Sequence, residues 1–186
     1  MDLQTFNAAG RDELLAFLAP CAPIPDWAAS LADGRPYATR EAVLRDAAEL
    51  TLQWSDADVD ASLAHHPRIG DRVEAAGAEG DHSRREQGDL GADPGTAEAW
   101  VAANRAYEER FDRIFLIRAA GRTPGEMLES LRERLGNDDA VEARVRAREL
   151  AEIALFRLGA QLDRDVPGAV PDMTPDKTPD STPSVP

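Results

Sequence analysis

Apolar residues recur at three- and four-residue intervals along most of the chain, the spacing of one buried face of an α-helix. The pattern predicts helices in "RDELLAFL", "REAVLRDAAELTLQW", "DADVDASLAHH", "TAEAWVAANRAYEERFDRIFLIRAA", "TPGEMLESLRERL" and "DDAVEARVRARELAEIALFRLGAQL". The β-branched alternation that marks strands is nearly absent. Boundary signals agree with helices. Thr123-Pro124-Gly125-Glu126 joins a capping threonine, a proline in the first turn and a glutamate three residues on. Gly121 and Gly136 fall where helix ends are expected. "APCAPIPDW" (Ala19 to Trp27) reads as a proline-broken connection within one domain, and "AAGAEGDH" (Ala75 to His82) as a flexible loop. The expected class is all-α, a single-domain multi-helix bundle.

Near Val166 the pattern stops. "VPGAVPDMTPDKTPDSTPSVP" repeats Thr-Pro and carries almost no large apolar side chain, so it cannot offset its own ordering entropy. The expected organisation is a helical domain over residues 1–165 and a disordered tail over 166–186.

Composition narrows the function. The 186 residues suffice for one sizeable core, and 42% hydrophobic content is ordinary for a globular chain. A net charge of −14 repels nucleic-acid backbones and anionic membrane surfaces, so neither is an expected partner. The lone Cys21 excludes an internal disulfide and a thiolate metal cluster, and suits a reducing compartment. No signal pattern, no apolar run of about 18 residues and no peroxisomal tripeptide is present, so the expected location is cytoplasmic.

Three places could carry chemistry. In "LAHHPRIGDR", Pro67 pushes His66 out of the α region, so the preceding helix should end there with a stiffly mounted imidazole. Such a histidine suits acid/base work, or it simply caps the helix C-terminus. In "HSRREQ", Ser83, Glu86 and Gln87 would share one helix face and could grip an amide-rich molecule, with Arg84 and Arg85 pointing away. Ser83 and Glu86 also have the spacing of a capping box, which the local pattern alone favours. Arg157 lies seven residues after Leu150 and four after Ile153, on a stripe that should be buried. A guanidinium there needs an anion, either an acidic side chain or a substrate carboxylate held by two hydrogen bonds. Trp27, Trp54, Trp100 and Phe111 read as core or helix-contact residues, and "RAYEERF" as a charged helix face. His65 and His82 read as solvent-facing or supporting residues, and Cys21 has no base in view for a catalytic thiol.

"HPRIGD" (His66 to Asp71), "SRREQ" (Ser83 to Gln87) and "NRAYEERFDRIFLIRAAGRTPGEML" (Asn104 to Leu128), taken in order, resemble the 2-oxo-4-hydroxy-4-carboxy-5-ureidoimidazoline (OHCU) decarboxylases of purine catabolism. The resemblance extends through Phe6, Asn7, Trp27 and Arg35 to Tyr37 upstream, and through Arg134, Leu135 and Glu149 to Leu158 downstream. It implies an all-helical homodimer with no metal and no organic cofactor. It assigns His66 as the proton-delivering acid/base with Glu86 as its companion, which puts the site reading of Ser83 and Glu86 ahead of the cap. Pro67, the turn Ser83, Arg84, Arg85, Glu86 and Gln87, and the backbone of Phe115, Leu116, Ile117, Arg118 and Ala119 would line the substrate, with Arg157 binding it. Asp112 stands where the family usually has glycine, and Arg118 where a small apolar residue is common.

The implied reaction fits these side chains. The family's substrate carries its carboxylate on a ring carbon next to a C=N bond, so the electrons released with CO2 flow into that imine and give an enaminol. The substrate is its own electron sink, which removes the need for pyridoxal or thiamine. Protonation of the adjacent ring carbon from one face then gives one enantiomer, (S)-allantoin by resemblance. Two other readings compete. One is metal-dependent ureide hydrolysis with His65, His66, His82 and Asp71 as ligands, which the spacing does not favour. The other is a non-enzymatic acidic helical module that binds partners.

Overall fold

The computed structural model describes residues 1–64 and 94–163. The histidine segment, Ala75 to His82, the Ser83-to-Gln87 turn and the expected tail lie outside the described residues. Among those described there are eight helices and no strands: α1 (Leu3–Ala8), α2 (Arg11–Leu18), α3 (Pro25–Asp33), α4 (Arg40–Thr51), α5 (Asp56–Leu63), α6 (Pro94–Phe111), α7 (Pro124–Arg134) and α8 (Asp139–Asp163). The all-α expectation is met.

Local chemistry sets the ends. Thr123 caps α7 and Glu126 returns the bond, with Pro124 in the first turn as the sequence predicts. Ser55 and Asp58 build the same reciprocal cap on α5. Gly136 follows the end of α7, its N–H bonded to Glu133 O at 2.9 Å. Gly121 differs from expectation. It ends no helix but sits with φ +83° in the turn closed by Arg122 N–H to Ala119 O at 3.0 Å, a backbone setting that favours glycine.

Three further expectations need correction. Helix α1 is absent from the predicted set, since six residues give too short a run for periodicity to register. The stretch Ala19 to Trp27 is only partly a connection, because Pro25 opens α3, where its missing N–H costs nothing. The long predicted helix through "FDRIFLIRAA" stops at Phe111, and residues 114–119 run without helix or turn. A short, continuously apolar run has no period that separates helix from extended chain.

The helices enclose two cores. Phe6, Leu14, Leu18, Trp27, Leu31, Val43 and Val59 join Leu150, Ile153 and Leu158 of α8 in the first. Trp100, Tyr107, Phe111, Met127 and Leu131 form the second between α6 and α7. The expectation for Trp27, Trp54, Trp100 and Phe111 holds, with Trp27 and Trp54 meeting edge to face at 6.0 Å. "RAYEERF" is more than a charged face, because Tyr107 and Phe111 are buried. Asn7, Arg35 and Tyr37 fasten the start of the chain. Asn7 and Tyr37 exchange two 2.9 Å hydrogen bonds, and Arg35 donates to the Ala9 carbonyl at 2.6 Å beyond α1.

Candidate functional site

The segment 114–119 is where the two cores meet. Helix α6 ends because Asp112 turns left-handed, with φ 53° and its N–H still bonded to Glu108 O at 2.9 Å. Aspartate is among the few non-glycine residues that tolerate this region. The chain then runs extended, and side chains alternate between faces. Ile114 and Leu116 join the first core, while Phe115, Ile117 and Ala119 join the second. Phe115, Leu116 and Ile117 are each buried.

Among the described residues no strand pairs with this segment, and side chains hold its backbone. At Leu116, the carbonyl accepts from Arg134 Nη1 at 2.8 Å, and the Arg134 guanidinium lies 4.5 Å from the Phe115 ring centroid. Arg134 is fixed by Glu142 through Nε at 3.0 Å and Nη2 at 2.5 Å. The Tyr107 hydroxyl donates to the same oxygen, and Asn137 Nδ2 donates to the other at 2.8 Å. Burial pushes the Glu142 carboxyl up, but hydrogen bonds from Arg134, Tyr107 and Asn137 outweigh it and hold the group below its ordinary value. Tyr107 is pushed up, first by burial and then by its bond to Glu142. At Arg118, the N–H donates to Glu149 Oε2 at 2.7 Å and the carbonyl accepts from Arg122 Nη1 at 3.0 Å.

These clamps share one edge. In extended chain the N–H and C=O of alternate residues point the same way, so Leu116 and Arg118 face Arg134 and Glu149 while Phe115 and Ile117 face the opposite side. On that side, the N–H and C=O of Phe115 and Ile117 make no hydrogen bond to another described residue. Buried peptide groups need partners.

The Arg118 side chain turns toward α8, 3.7 Å from Glu152 and 5.4 Å from the Phe156 ring centroid. Its bulk thus lies along the outside of α8. Arg157 is 4% exposed, as its stripe predicts, and donates to the Pro20 carbonyl at 3.3 Å. Cys21 is buried, and burial pushes its thiol up to about 12, with the Arg157 charge pulling the other way. The expectation that Cys21 is no catalytic thiol fits this setting. A groove of about 270 Å³ between α2 and α3 is lined by Leu15, Ala19, Ala22, Pro23, Ile24, Pro25 and Ala28, with no charged group for a polar anion.

His66, Pro67, Ser83, Arg84, Arg85, Glu86 and Gln87 lie outside the described residues, as do His65, His82 and Asp71 of the metal alternative. Phe115 to Ala119 and Arg157 are described. Sequence reasoning missed the polar residues that hold the segment. Only Glu142 among them had a signal, the stripe that marked Arg157: positions 142, 146, 150, 153, 157 and 161 carry Glu142, Arg146, Leu150, Ile153, Arg157 and Gln161, all buried. Arg146 reaches Asp60 of α5 at 2.6 Å. Among the described residues no cluster of three or more His, Cys, Asp and Glu could hold a metal ion, and no helix is long and apolar enough to cross a membrane.

The sequence profile of the OHCU decarboxylase family matches residues 7–159. The "Uric acid degradation bifunctional protein" of Bacillus sp. (strain TB-90) is 25% identical over 162 residues, 85% of this chain but only 32% of that protein. The 2-oxo-4-hydroxy-4-carboxy-5-ureidoimidazoline decarboxylase of Amia calva is 30% identical over 162 residues, 85% of this chain and 93% of its relative. Among solved structures, an OHCU decarboxylase crystallised in the presence of (S)-allantoin superposes with a TM-score of 0.65 at 25% identity, covering 78% of this chain and 96% of the other.

Proposed function

This chain belongs to the OHCU decarboxylase family, and on that premise we propose that it is the carboxy-lyase that converts OHCU to (S)-allantoin in urate breakdown. The observation that carries the substrate reading is the segment at Phe115 to Ala119, which the described residues bond along one edge only. Its clamped edge fixes the backbone, and the peptide groups of Phe115 and Ile117 face the other way. A ureido group offers N–H donors and a carbonyl acceptor at peptide-like spacing, which suits such an edge.

The roles follow from the chemistry. Arg157 and the residues Pro67, Ser83, Arg84, Arg85, Glu86 and Gln87 complete the binding surface, with Arg157 taking the carboxylate. The C–C bond to the carboxylate breaks, CO2 leaves, and its electron pair moves into the neighbouring C=N bond. Glu86 and His66 manage the hydroxyl proton, and His66 as imidazolium protonates the adjacent carbon from one face. No cofactor is needed, because the imine accepts the electrons. Residues 1–165 form the catalytic domain in this reading and 166–186 a dispensable tail. The protein acts in the cytoplasm as a homodimer, a state that light scattering in solution tests.

The deciding experiment generates OHCU freshly from urate with its oxidase and hydrolase, adds this protein, and follows the circular dichroism of the allantoin formed. Rapid appearance of one enantiomer supports the proposal. A signal no faster and no more selective than spontaneous decay rejects it.

A further inference from the structure

An extended segment with no neighbouring strand among the described residues keeps its place there only if something replaces that strand. At Arg118 two side chains do so. Glu149 accepts the N–H at 2.7 Å, and Arg122 donates to the C=O at 3.0 Å. Arg122 Nη1 also bonds both Glu149 oxygens, at 3.0 and 3.3 Å, closing a ring of acid, base and peptide. The ring rests on fixed elements. Glu149 belongs to α8, with its side chain 12% exposed, and Arg122 is aimed by the glycine turn at Gly121. Together they satisfy one residue as the peptide of an adjacent strand would. Its neighbour across the pleat is Ile117, whose peptide groups face the opposite side.

We infer that Glu149 is a positioning residue: by holding the Arg118 peptide with Arg122, it sets where the Ile117 edge meets the ureido group of the substrate. This rests on the substrate reading given above. Glu149 does not touch the reacting atoms, and its charge is spent on Arg122. Its influence passes through the backbone, where a displacement of about 1 Å is enough to change binding and orientation.

The test compares wild type, Glu149→Ala, Glu149→Gln and Arg122→Ala in the coupled allantoin assay, with amide hydrogen exchange of each. Removing a charge-assisted bond to the amide should raise KM about 10-fold in Glu149→Ala, with a smaller change in kcat. A tilted ring should also expose both faces, so the enantiomeric excess should fall. Exchange should speed up within residues 115–119 while the helices stay protected. Glu149→Gln keeps an oxygen for the Arg118 amide and should recover part of the KM; Arg122→Ala should shift it in the same direction as Glu149→Ala. Wild-type protein that does not accelerate allantoin formation rejects the proposed function itself. An active wild type beside a folded Glu149→Ala protein with unchanged KM and enantiomeric excess rejects the positioning role. If Glu149→Ala does not fold, the folded Glu149→Gln and Arg122→Ala proteins decide, and wild-type KM in both rejects it.

Discussion

Arg134 Nη2 lies 2.5 Å from Glu142 Oε1 in the interior, and the same guanidinium carries the carbonyl of Leu116 at 2.8 Å. The ion pair is therefore also the support for an extended segment. The Glu142 side chain is fully buried and that of Arg134 nearly so, so removing one partner strands the other charge. Replacing Arg134 by Ala should cost about 3–5 kcal/mol in urea unfolding. A loss under about 1 kcal/mol, the scale of an exposed pair, would contradict this burial.

The same pair sets an acid limit. The folded carboxyl of Glu142 lies below its ordinary 4.5, against the push of burial, because Arg134, Tyr107 and Asn137 bond its charged form. Its contribution is thus complete above the unfolded value and drains as pH falls through the lower folded one. Stability measured from pH 6 to 3 should fall less steeply in Glu142→Gln, which starts lower but has no proton to take up. Parallel curves for the two proteins would assign the acid sensitivity elsewhere.

Asp112 holds a left-handed conformation at the end of α6, φ 53°, and places a negative charge at a helix C-terminus. Both features are unfavourable relative to glycine. Asp112→Gly should raise stability by about 0.5 kcal/mol, and Asp112→Val should lower it by about 1–2 kcal/mol. Aspartate is therefore a strain at this helix end. A thermal unfolding series in which valine equals aspartate would show that the left-handed turn is not kept in solution.

The Cys21 thiol is buried and raised to about 12, so the native protein should hold almost no thiolate at pH 8. A thiol reagent should react at the rate of unfolding in native buffer and at once in denaturant. Immediate labelling of the native protein would contradict the full burial of Cys21.

What was legible in the chain follows from the length of its patterns. Arg11–Leu18 emerges as predicted because its residues repeat the helical period, and α7 because Thr123 and Glu126 mark its start. The extended run at 114–119 was illegible as structure, since "IFLI" is apolar at every position and its two faces serve two different cores. Arg157 was visible as a charge on a buried stripe. Glu142 and Arg146 stand on the same stripe, but their partners Arg134 and Asp60 come from other helices, and no local spacing announces such pairs.

His66 and Arg157 should separate by experiment. His66→Ala removes the proposed proton donor, so enzymatic decarboxylation should disappear while the helical signal stays as in wild type. Unchanged turnover on freshly generated substrate would remove His66 from the mechanism. Arg157 is a different case, because its guanidinium already serves the fold through the Pro20 carbonyl. Arg157→Ala should therefore lower stability and raise KM together, whereas Arg157→Lys keeps a charge but loses the planar fork that holds a carboxylate with two bonds. The lysine protein, assayed below its unfolding temperature, isolates the binding role. An increase in KM there of about 10-fold or more supports a substrate contact, and a wild-type KM in a less stable protein would make Arg157 a purely structural residue.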